Sequence, residues 1–134
     1  MSKNKIIITS LIVATFVVTL SGCYKTTTLL EDNTPAVTTT VSFSKDIVPL
    51  LTANCAKSGC HGGTINPNLT AANAYNSLTG GLVNTATPSN SVVFLWLTGK
   101  DMPSQTYMPL GGTNNPGNIN GLILAWITQG AKNN

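Results

Sequence analysis

The sequence predicts a small all-α domain with long loops over residues 43–134, and three observations predict it. Ile119, Leu122, Ile123, Trp126 and Ile127 are spaced i, i+3, i+4, i+7 and i+8, the apolar stripe of a helix. Cap and stop residues bracket three further segments. The stretches between them are Gly, Asn, Pro and Thr without the sustained apolar alternation of strands.

Taken in order, Phe43 to Val48 reads as a helix start, with Ser44 as N-cap, Asp46 in the first turn and Phe43 stapling onto Val48. Pro49 follows early and should kink this helix or hold it short. Thr70 caps a second helix through Ala71, Ala72, Ala74, Tyr75 and Leu78, closed by Gly80 and Gly81. The apolar run Val92 to Leu97 is ambiguous by length alone. The turn residues Pro88 to Ser91 before it and Gly99 after it favour a helix. Asn118 caps the last helix and Gly130 stops it. A core drawn from 92 residues is thin for so much loop, so a staple is expected.

Upstream, Lys3 and Lys5 precede a short, mainly apolar run from Ile6 to Leu20, which ends in Leu20-Ser21-Gly22-Cys23. A basic start, a short apolar run and a small-residue end form a secretory signal, residues 1–22, rather than a span. Leu20 to Cys23 resembles the bacterial lipoprotein cleavage box, which implies that Cys23 is acylated and anchors the chain. With no acidic residue directly after Cys23, the resemblance favours the outer membrane. The expected location is the cell envelope, periplasmic or at the cell surface. Residues 24–42 are Thr-rich and aperiodic, and they read as a disordered tether.

Charge narrows function further. The chain has seven Lys, no Arg, four carboxylates and one His. Without the signal, five Lys face four acids, which excludes a phosphate-neutralising nucleic-acid binder. Most acid/base machineries lack their parts.

Chemistry concentrates in Cys55-Ala56-Lys57-Ser58-Gly59-Cys60-His61. Two thiols followed directly by the sole His match the logic of covalent haem attachment, in which the thiols meet the vinyl groups and imidazole meets the iron. The usual spacing of two residues is four here, so the additional residues must bulge, and Ser58-Gly59 permit a tight turn. Two other chemistries use such residues. Cys55 and Cys60 could close a disulfide in an oxidising compartment, or join His61 on zinc, although structural zinc wants a fourth ligand. A haem would take its second axial ligand from Met102 or Met108, each held in extended backbone by a following Pro. Its His61 would donate the other ring N–H to a backbone carbonyl, Pro67 or a neighbour. Trp96, Tyr107 and Trp126 would pack its pocket, and Lys57 and Lys100 could mark a docking face.

The pieces FSKDIVPLL, CAKSGCHGG, SVVFLWLTG, MPLGG and LILAWITQGA together resemble the short c-type cytochrome domains of planctomycete type found in many secreted bacterial proteins. The resemblance covers nearly all of residues 43–134 and implies a small mono-haem cytochrome c-like fold. It implies one covalent haem c held by Cys55 and Cys60, with iron ligated by His61 and Met108 in preference to Met102. The first and last helices would cross beside the haem. Departures are the cysteine spacing and the uncharged stretch Gly111 to Asn120, where relatives carry acidic residues.

The implied function is one-electron transfer between redox protein partners, a carrier rather than a catalyst. Two alternatives remain open on the residues alone. One is an open-site haem protein, a peroxidase or gas sensor, if neither Met ligates. The other is a disulfide-stapled surface lipoprotein that binds a protein or glycan.

Overall fold

The computed structural model describes residues 35–100 and 106–134. The expected signal 1–22, Cys23, tether residues 24–34 and Met102 lie outside the described residues. Among the described residues every regular element is helical, as an all-α fold requires, and none is long and apolar enough to cross a membrane.

The chain enters through an extended segment and turns into a wide helical turn, Phe43–Ile47, that runs on into α1, Val48–Asn54. The N-cap is Ser42 rather than Ser44. Its Oγ accepts the Lys45 N–H at 3.3 Å while Asp46 Oδ2 accepts the Ser42 N–H at 2.7 Å. These reciprocal bonds satisfy two donors that helix geometry leaves orphaned. Pro49 falls in the first turn of α1, where its missing N–H costs least. The π-type turn ahead of it, with Val48 N–H bonded to Phe43 O, absorbs the break in the regular ladder.

The second helix, α2, is Ala74–Thr79. It starts later than its cap suggests, because Thr70 O is shared by the Asn73 and Ala74 N–H groups at 2.9 and 2.8 Å, which makes residues 71–73 a turn. The ambiguous apolar run is helical: α3 spans Val92–Thr98 and ends at Gly99 with φ 70°. Ser91 precedes it, buried, with Oγ bonded to the Asn84 N–H at 2.9 Å instead of to the helix. The last helix, α4, is Ile119–Thr128. Asn118 occupies the N-cap but sits at φ 58°, so its side chain turns away from the helix. Asn115 Oδ1 does the capping instead, accepting the Asn120 N–H at 2.9 Å.

The core gathers Ile47, Leu51, Leu78, Leu97, Ile119, Ile123, Trp126 and Ile127, all buried. Phe43 lies 4.9 Å from Trp126 and 5.4 Å from Tyr75 between ring centroids, edge-on to the latter. Trp126 Nε1 donates to Lys132 O at 2.8 Å, and Tyr75 OH donates to Ala131 O at 3.2 Å, so both polar tips are satisfied. The wide turn that opens the domain packs against α4.

Composition placed residues 35–42 in a disordered tether, yet they lie on the domain. Val41 is buried, and its N–H bonds to Gln129 Oε1 at 2.9 Å. The entropy argument for disorder counted only the segment's own residues; the partners that order it are supplied by α4 and the residues after it.

Candidate functional site

An apolar cavity of about 320 Å³ opens on the side of the domain formed by α1, the loop after it, α2 and α3. That volume lies at the lower end of the range for small-molecule and cofactor sites, about 300–1,000 Å³. Leu51, Leu69, Leu78, Leu82, Val93 and Leu97 make its apolar wall. Cys55, His61 and Met108 share that wall, brought together from the end of α1, the following loop and a segment 47 residues beyond His61.

The loop from Cys55 to His61 is closed by its own backbone. Cys60 N–H donates to Lys57 O at 3.0 Å, His61 N–H to Cys55 O at 3.1 Å and Gly62 N–H to Lys57 O at 3.2 Å. Gly59 takes φ 75°, the left-handed turn that the longer cysteine spacing called for. Gly62 is fixed by space: a Cβ there would stand 2.8 Å from Lys57 O and 3.0 Å from Ala56 O. Downstream, the Leu69 N–H donates to His61 O at 2.8 Å and returns the chain to the cavity wall.

His61 is half-buried, with Nδ1 3.3 Å from Ile65 O. The nearby carbonyl is that of Ile65, two residues before Pro67, while Pro67 itself lines the cavity. With Nδ1 protonated toward that carbonyl, the tautomer leaves the Nε2 lone pair available as a ligand. Met108 approaches from a loop, as its following Pro predicts, and its N–H is tied to Trp96 O at 2.8 Å.

The two thiols differ. Cys55 is buried on the cavity wall, and Cys60 is exposed and does not line it; they are not joined in a disulfide. Burial pushes the Cys55 thiol above its ordinary range, the neighbouring Cys60 adds to the rise, and Lys57 opposes it. Among the described residues no group of three His, Cys, Asp or Glu side chains converges as a structural zinc would require.

Of the aromatic residues expected in a pocket, Trp96 lines the cavity. Trp126 belongs to the core and Tyr107 is not among the lining residues. The donor set is of a kind that could hold a haem: imidazole, thioether and one thiol on a surface whose other polar side chain is Asn66. Sequence reasoning did not single out Ile65 O or Gly62. The glycine was visible in Cys60-His61-Gly62, but the carbonyl carried no signal, because any residue supplies one.

Family models, curated proteins and solved structures were compared with the chain, and none matches.

Proposed function

We propose that this protein is a membrane-tethered mono-haem c-type cytochrome that passes single electrons between redox protein partners. One observation carries the proposal: Cys55, His61 and Met108, separated in sequence, meet on the wall of a single apolar cavity. Cys55 and Cys60 would hold the haem c covalently, and His61 and Met108 would ligate its iron. When bound, such a group would supply a one-electron iron couple, and ligation by a thioether together with imidazole would raise its potential.

The chain's own residues do the rest. Ile65 O orients the His61 ring through Nδ1. Trp96 O holds the backbone of Met108. The Leu and Val wall supplies an apolar face that a bound group would cover, which would lower the dielectric around the ligands. Outside the expected signal five Lys face four carboxylates, so approach by a partner would gain little from steering. Acylated Cys23 would hold the domain at the envelope, the outer membrane being the favoured side.

The test is co-expression with haem-maturation machinery, followed by intact mass and visible spectra of the full chain. Mass added by one macrocycle, with a reduced α band that survives denaturation, is expected. Met108→Ala should then remove the thioether-to-iron absorption band and leave the added mass. A folded, colourless protein of bare polypeptide mass would falsify the proposal.

A further inference from the structure

Residues 35–42 run alongside α4 and are gripped at both of its ends. At the first end, Asn118 Nδ2 donates to Pro35 O at 3.0 Å. The approach is so close that a Cβ on Gly121 would stand 2.6 Å from that same oxygen. At the other end, Gln129 offers its amide as a stand-in for a neighbouring strand: Nε2 donates to Thr39 O at 3.0 Å and Oε1 accepts the Val41 N–H at 2.9 Å. Asn134 continues the pattern, with Oδ1 accepting the Phe43 N–H at 2.9 Å and Nδ2 donating to Val41 O at 3.3 Å. Val41 is 3% exposed and Val37 packs against the core. Backbone polar groups paired at both ends of two apolar anchors describe a docked segment rather than a passing loop.

Neither this segment nor α4 contributes to the cavity wall. We propose that residues 35–42 are a strap that shortens the leash between Cys23 and the domain and roots it on α4, leaving the cavity mouth clear for a partner. The membrane end of this inference rests on the lipid-anchor part of the proposed function; the docking of the strap does not. With the strap docked, 11 residues separate Cys23 from Pro35, a span of at most about 40 Å. With it released, the leash would run to Phe43 and reach about 65 Å. Docking therefore sets how far the domain can search from the bilayer and the local concentration at which it meets a membrane-bound partner.

Hydrogen exchange on the full chain reads the strap directly. The Val41 and Phe43 amides should exchange roughly a hundredfold or more slowly than free amides. The Gln129→Ala/Asn134→Ala double variant, which removes the acceptors of both N–H groups, should abolish that protection while α3 and the core of α4 keep theirs; Gln129→Ala alone, read at Val41, is the milder variant if the double fails to fold. Reflectometry of the acylated chain on a supported bilayer reads the leash, and the protein layer of the released variant should extend outward by up to about 25 Å. Unprotected Val41 and Phe43 amides in the parent chain overturn the strap. A protected strap whose release leaves the layer unchanged, or a chain that does not bind the bilayer, overturns the leash and leaves the docking standing.

Discussion

The two sides of this domain are built differently. The side formed by Phe43, Tyr75, α4 and the residues after it is closed by its own side chains: Trp126 is packed against Phe43 with the rings tilted, hydrogen-bonded and 1% exposed. On the side formed by α1, α2 and α3, comparable apolar side chains face a cavity, and Val92 and Trp96 remain about 40% exposed at its rim. The closed side gains its stability from packing that is complete within the chain. The cavity side has apolar walls whose burial depends on what lies between them. Mutations should therefore cost much on the first side and, at half-buried or exposed lining positions such as Val93, Trp96 and Met108, little on the second in the haem-free chain; Leu51, Leu78 and Leu97 line the cavity but are buried with the core.

Trp126→Ala should have the largest effect. Truncating a fully buried aromatic residue costs about 3–5 kcal/mol, enough to unfold most of a small marginal domain. It also strands Lys132 O without its donor. Urea denaturation followed by far-UV circular dichroism measures this, and a loss below about 1 kcal/mol would mean that the closed side is not where the stability resides. Gly62→Ala should come next. The Lys57 carbonyl must move to admit the Cβ, at about 1–3 kcal/mol. The loss should be accompanied by faster exchange at Cys60 and His61 and unchanged exchange in α4. In maturation trials the same variant should carry less covalent haem.

Met108→Ala sharpens the contrast. In a filled core, Met→Ala costs about 2–5 kcal/mol, but Met108 is half-buried and faces the cavity, so in the haem-free chain the cost should stay below about 1 kcal/mol. After maturation the difference between parent and variant should grow, since a ligating thioether is lost as well. A large loss in the haem-free chain would place Met108 with the core residues.

What could be read in advance follows the range of the interactions. The α4 stripe, the helical reading of Val92 to Leu97 and the turn at Gly59 depend on local spacing or backbone freedom, and each was legible. Side-chain roles at the helix starts were not. Asn118 has a good N-cap identity, but its positive φ turns the amide toward Pro35, and Asn115 takes the cap. The 35–42 segment was misread because its partners, Gln129 and Asn134, lie about 90 positions away. At the site, the types Cys, His and Met were legible, and so was the loop origin of Met108. The apolar wall was not, since it joins residues from α1, α2 and α3 with Leu69, which the bond from its N–H to His61 O brings back toward them.

The smallest effect concerns the thiols of the haem-free chain, and its sign is fixed by burial. Because the folded state holds the Cys55 proton more tightly than the unfolded state does, the thiol's contribution to stability is fully present below its ordinary titration near pH 9. It is lost as pH rises from there through the elevated folded value. Urea midpoints at pH 7 and pH 10 should fall further for the parent than for Cys55→Ala. The same protonation, together with burial, should make Cys60 react first with iodoacetamide at pH 8, and mass mapping of the singly alkylated chain reads the order. Equal labelling of the two thiols would mean that the cavity wall around Cys55 opens faster than the reagent acts, and the distinction drawn between the two sides would then hold only for the closed one.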